Sequence, residues 1–225
     1  MTEQNLHPVQ LQATLDPRLS RGLWLIKWLL ALPHLIVLFF LWITFVLLTV
    51  VAFFAILITG RYPRALFDFN VGVMRWSWRV QYYAYGALGT DRYPPFSLAD
   101  VPDYPTHLDV AYPEQLSRGK VLVKWWLLAI PHYLILGVLL GAAQHPDLWS
   151  SIGFIKLLVL FAGIGLLFTG RYPKGLFELI IGFNRWVIRV TAYAALMTDV
   201  YPPFRLDMGG RDPGPARCCT DRGAW

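Results

Sequence analysis

Between Leu23 and Thr59 the chain is apolar apart from Lys27, His34 and two threonines. One helix over that stretch would be about 55 Å long, well beyond a hydrocarbon core of about 30 Å. The pattern therefore predicts a fold-back, a transmembrane hairpin over about 23–59. A second apolar region is broken by Gln144-His145-Pro146-Asp147 and reads as two spans, about 121–143 and 152–169. Each apolar region ends in Thr-Gly-Arg-Tyr-Pro, at Thr59–Pro63 and Thr169–Pro173. There the glycine can take the left-handed C′ conformation and the proline can open the next helix.

The next helices, about 64–88 and 174–196, are amphipathic. Asp68, Gly72, Arg75 and Arg79 lie on one helical stripe, and Glu178, Gly182, Arg185 and Arg189 repeat it among aromatic and aliphatic residues. Such helices either lie at the membrane interface, pack on the hairpins, or span. Val9–Ala13 and Thr106–Val110 alternate in character, and with Phe96–Leu98 and Phe204–Leu206 they predict short strands of a small cytoplasmic sheet.

These correspondences are a duplication. Leu19-Ser20-Arg21-Gly22 returns as Leu116-Ser117-Arg118-Gly119, Lys27-Trp28 as Lys124-Trp125, and Pro33-His34 as Pro131-His132. Thr90-Asp91-Arg92-Tyr93-Pro94-Pro95-Phe96 returns as Thr198-Asp199-Val200-Tyr201-Pro202-Pro203-Phe204. The chain is two tandem units, 1–98 and 99–208, followed by a disordered Gly/Pro/Arg tail over 209–225. The expected fold is mainly α and integral to a membrane, each unit a transmembrane helical hairpin plus an amphipathic helix.

Charge sets the orientation. Of 225 residues 56% are hydrophobic and only 15% charged, where soluble domains carry about a quarter. The net charge of +6 comes from basic residues flanking apolar spans, which points to anionic headgroups rather than to nucleic acid. With two spans per unit, nearly every Lys and Arg falls on one side, predicting four spans, both termini cytoplasmic and the copies related by a pseudo-twofold axis along the membrane normal. The polar N-terminal residues lack the features of a cleaved signal, so the first apolar stretch is expected to remain as an anchor.

The repeated motifs, with Leu-Phe-(Asp/Glu) and Arg-Trp among them, resemble the bacterial membrane family catalogued as domain of unknown function 4389. The resemblance runs from about Pro8 to Leu206. It implies a multi-pass protein of the bacterial inner membrane and brings no established activity.

Candidate chemistry is sparse. Lys27, His34, Lys124 and His132 are intramembrane polar residues. With Asp68 or Glu178 they could form a proton relay, or the lysines could snorkel while each histidine bonds a carbonyl freed by its proline kink. One repeated histidine and one repeated carboxylate per copy are too few for a metal site, and no cofactor or catalytic motif appears. Gly137 and Gly141 suit close helix packing, and Cys218-Cys219 sit in the tail. Arg75, Arg79, Arg185 and Arg189 call for anions, either Asp68 and Glu178 of the opposite copy or lipid phosphates. Every notable polar residue occurs twice, which favours a non-catalytic scaffold or accessory subunit binding anionic lipid or a membrane partner. The alternatives are an oligomeric channel or transporter and, less favoured, a lipid-headgroup enzyme.

Overall fold

The computed structural model describes residues 7–124, 130, 137, 153–203 and 206–210. In chain order these form β1 (Val9–Ala13), α1 (Trp24–Leu30), α2 (Leu32–Thr59), α3 (Arg64–Ala84), β2 (Thr106–Val110), α4 (Arg118–Val123), α5 (Phe154–Thr169) and α6 (Lys174–Ala194).

The hairpin expected over 23–59 is absent. Ala31 keeps helical angles (φ −78°, ψ −15°), its amide donates to the Lys27 carbonyl at 2.9 Å, and Leu35 donates to Ala31 at 2.9 Å. The path thus continues from α1 into the 28 residues of α2 without reversing. Pro33 falls in the first turn of α2, where its missing N–H costs little. Beyond it no Gly, Pro, Asn or Asp interrupts the run before Gly60, so the sequence offers no turn chemistry for a reversal. Length alone suggested a fold-back that local chemistry does not permit, and the four-span count built on it falls too. In the second copy α5 is an apolar helix of 16 residues over most of 152–169, where a span was expected. Most of 121–143, His132, the 144–147 break, the Gly137/Gly141 pair and the tail beyond 210 lie outside the described residues.

The two Thr-Gly-Arg-Tyr-Pro corners fold identically. Gly60 (φ 72°) and Gly170 (φ 68°) are left-handed caps, a conformation that disfavours any side chain. The preceding threonine hydroxyl donates back one turn, Thr59 to Ala55 at 2.7 Å and Thr169 to Gly165 at 2.6 Å. After each corner the amphipathic helix runs back along its long helix. Asn70 reaches Thr49 at 3.3 Å, Ser77 accepts from Trp42 at 2.9 Å, and Trp76 donates to His34 at 3.1 Å, so α3 is antiparallel to α2 over most of its length. Leu88 and Leu196, both buried with positive φ, then turn the chain out of α3 and α6.

β1 and β2 are antiparallel with Leu11 opposite Leu108, and Val9 and Ala13 opposite Val110 and Thr106. Leu11 and Leu108 are equivalent positions of the two copies, so a pseudo-twofold axis passes through this ribbon. The flanking bonds obey it: Thr14 donates to Pro105 at 2.8 Å and Ala111 to Pro8 at 2.8 Å. The expected segment Phe96–Leu98 is irregular rather than a strand. The copies interlock head to tail. Leu116 donates to Gly60 at 2.9 Å where α2 ends, while Trp24, opening α1, packs on Gly163 of α5. α3 lies between α2 and β2, and α6 packs against both α5 and β1. The resulting core runs from Leu11 and Leu108 through Val71, Trp78, Ile180 and Trp186 to Phe45 and Val159.

Candidate functional site

The arginine stripes meet at the pseudo-twofold axis. Arg75 of α3 donates from Nε to the Leu108 carbonyl at 2.8 Å, and Arg185 of α6 donates from Nη2 to the Leu11 carbonyl at 3.0 Å. Each copy thereby grips the other copy's strand at equivalent points. Arg75 also pairs with Asp109 at 2.9 Å, and Arg185 bonds Gly209 at 2.9 Å and the Asp207 carbonyl. One turn on, Arg79 holds Ala99 at 3.0 Å and the Ser97 carbonyl, and Arg189 pairs with Asp207 at 2.6 Å. These bonds explain why 96–99 is irregular. Its carbonyls are taken by a guanidinium instead of a neighbouring strand. Burial holds the Arg79 guanidinium below its ordinary pKa, partly offset by Asp100.

Neither Asp68 nor Glu178 serves this stripe. Asp68 and Glu178 are exposed and pair with none of its arginines. Lipid phosphate is likewise not what Arg79, Arg185 and Arg189 meet, because all three are buried against protein acceptors. The backbone carbonyls that take their place carry no side-chain signal and cannot be read from the sequence.

A second repeated set is built around Lys27 within α1 and Lys124 at the end of α4. Lys27 is 2% exposed, pairs with Asp91 Oδ1 at 2.7 Å, donates to the Thr90 carbonyl at 2.6 Å and sits over the Tyr83 ring at 5.1 Å. Asp91 Oδ2 accepts the Ser20 amide at 2.6 Å. In the second copy Lys124 pairs with Asp199 Oδ1 at 3.0 Å, donates to the Thr198 carbonyl and lies 4.6 Å from the Tyr193 ring centre, and Asp199 accepts the Ser117 amide at 2.8 Å. The lysines therefore do not snorkel. Each is locked beneath the turn that follows the amphipathic helix. Burial raises the Asp91 pKa, but hydrogen bonds from Lys27 and Ser20 and the Lys27 charge outweigh it, leaving the carboxyl below its usual range. Burial, reinforced by Tyr201 and Asp199, pushes Tyr193 up to about 12. Sequence reading missed Asp91 and Asp199, although the pairing was visible in principle: one lysine and one Thr-Asp recur per copy.

His34 is apart from both sets. It accepts the Trp76 indole N–H at Nδ1 (3.1 Å), so its own proton sits on Nε2, and it stacks on Phe96 at 3.8 Å with Tyr93 at 4.9 Å. It bonds neither the kink carbonyl nor Lys27, so the relay geometry does not form around it. Among the described residues no group of three or more His, Cys, Asp or Glu could hold a metal ion.

The outer face of the long helices has a different character. Ile36, Phe40, Ile43, Leu47, Val50 and Phe54 recur every three or four residues on α2, and all are exposed. Leu157, Phe161, Ile164 and Phe168 do the same on α5. A family model described as "Domain of unknown function (DUF4389)" matches residues 21–97 and 148–205, one segment in each copy. No curated protein and no solved structure matches the chain.

Proposed function

Because the chain belongs to the family described as Domain of unknown function (DUF4389), a description that carries no activity, we propose from the geometry that it is a non-catalytic membrane protein. In this reading it is a scaffold or accessory subunit that binds anionic lipid and offers a rigid two-copy surface to a membrane partner. One observation carries the membrane assignment. The most apolar window of α2 has mean hydropathy 2.9 yet is only 17% buried within the protein. A helix that apolar in the core of a soluble protein would be largely covered, and exposed apolar patches of this extent mark membrane or partner contact. The non-catalytic reading draws support from the repeated polar sets. Their arginines and lysines are engaged by carbonyls, carboxylates and a tyrosine ring of the protein itself, which is how structural fasteners behave.

Membrane fractionation tests the assignment. The protein should stay with the membrane pellet through high-salt and alkaline carbonate washes and be released only by detergent. Release by carbonate or salt alone would remove the integral reading.

A further inference from the structure

Seen across the layers, the ribbon lies on one side of the molecule, α3 and α6 are in the middle, and the long helices with their exposed apolar stripe are on the other. The ribbon is also level with the middle of α2. Arg75, which grips it, lies on α3 between Asn70, opposite Thr49, and Ser77, opposite Trp42. If α2, about 42 Å long, stood upright in a hydrocarbon core of about 30 Å, the ribbon would sit near mid-depth. The Asp109 side chain there is 74% exposed even while paired with Arg75, and hydrocarbon does not tolerate a carboxylate so exposed.

We propose that the protein is monotopic: the stripes of α2 and α5 lie flat in one membrane leaflet, with the ribbon facing water and the pseudo-twofold axis along the membrane normal. This rests on the membrane reading above and specifies how the membrane is met. Charge supports a lipid occupant for the face. The head-to-tail packing gathers exposed cations at both ends of the long helices. Arg61, Arg64, Arg118 and Lys120 meet where α2 ends, and Arg21, Arg171 and Lys174 where α5 ends. Asp68 and Glu178, each one turn beyond a basic residue, reduce but do not cancel these corners. An apolar stripe flanked by cations is the signature of a helix lying in an anionic interface. The corners, not the buried stripe of α3 and α6, then meet anionic headgroups.

The test uses the full chain with Cys218→Ser and Cys219→Ser, spin-labelled singly at Ile36→Cys, Ile43→Cys, Val50→Cys, Ile58→Cys or Asp109→Cys, in vesicles of phosphatidylglycerol and phosphatidylcholine. Collision with oxygen and with a nickel chelate reports depth. Similar depth at all four stripe positions, with Asp109 in water, is the expected result. Greatest depth at Ile43 and Val50, shallower values towards both ends and Asp109 in hydrocarbon would establish an upright helix and overturn the proposal while leaving the membrane reading intact. Exclusion of both reagents along the stripe would show a protein covering it, and water at all positions would end both readings. Changing Arg61, Lys120, Arg171 and Lys174 together to Gln should lower the ratio of phosphatidylglycerol to phosphatidylcholine retained in native mass spectra at least tenfold, taking the usual gain per cation at such surfaces. An unchanged ratio would refute the corner assignment.

Discussion

Replacing Asp91 with alanine leaves the Lys27 ammonium buried with the Thr90 carbonyl at 2.6 Å and the Tyr83 ring at 5.1 Å as its remaining neighbours. Breaking one side of a buried ion pair costs about 3–5 kcal/mol, because the surviving charge is desolvated without compensation. The Asp91 side chain is 18% exposed, so water can partly reach the vacated space, and the lower end applies: about 3 kcal/mol. The Ser20 amide also loses its acceptor, a contribution of about 1 kcal/mol contained in that figure. Removing both charges, Lys27→Met with Asp91→Ala, eliminates the buried ion, so the double variant should be less destabilised than Asp91→Ala alone, by about 1 kcal/mol or more. Denaturant or SDS titration in mild detergent, followed by circular dichroism, gives the four corners of this cycle. Additive effects, or a single-variant cost below about 1 kcal/mol, would refute the view that the pair is a buried fastener. Asp199→Ala should behave alike in the second copy.

Three further outcomes follow from the same geometry. Arg185→Met should cost about 3 kcal/mol in the same titration, because it leaves the Leu11, Asp207 and Gly209 carbonyls without their shared donor, whereas Arg75→Met should cost nearer 1 kcal/mol, its carboxylate partner being exposed. Gly60→Ala and Gly170→Ala should each cost about 1–2 kcal/mol for their left-handed φ, since the Arg21 guanidinium beside Gly170 is the mobile end of an exposed side chain and can move aside. Asp91 has a depressed pKa when folded, so the stability it adds is present above about pH 4 and is lost as pH falls through the lower folded value; acid titration of Asp91→Asn should be flatter than wild type over that window.

What could be read from the sequence follows its periodicities. Val9–Ala13 and Thr106–Val110 appear as strands at the residues where alternation was seen, and the amphipathic helices begin at Arg64 and Lys174 as the corners indicated. The corners were legible because glycine and proline impose backbone geometry locally. The fold-back within 23–59 was a false inference from length. It presumed that the helix stands upright in a membrane, and the sequence between Pro33 and Gly60 contained no turn to support it. The partners of the arginines were hidden because they are mostly backbone carbonyls, Leu11 and Leu108 on the other copy's strand and Ser97, Ala99, Asp207 and Gly209 in the segments that follow the amphipathic helices. Asp91 and Asp199 were overlooked for a related reason. More than sixty residues separate each from its lysine, and only the fold brings the turn after the amphipathic helix back over the start of the long one.

The two copies interlock, each gripping the other's strand, rather than standing side by side. Gln12 and His107 face one another across the ribbon. Antiparallel partners of this kind have Cα atoms about 5.5 Å apart, within reach of a disulfide. In the chain lacking Cys218 and Cys219, Gln12→Cys with His107→Cys should oxidise rapidly to an intramolecular bridge in native membranes, detectable by a shift on non-reducing gels. Failure to form that bridge, or bridging only between separate molecules, would contradict the interlocked fold.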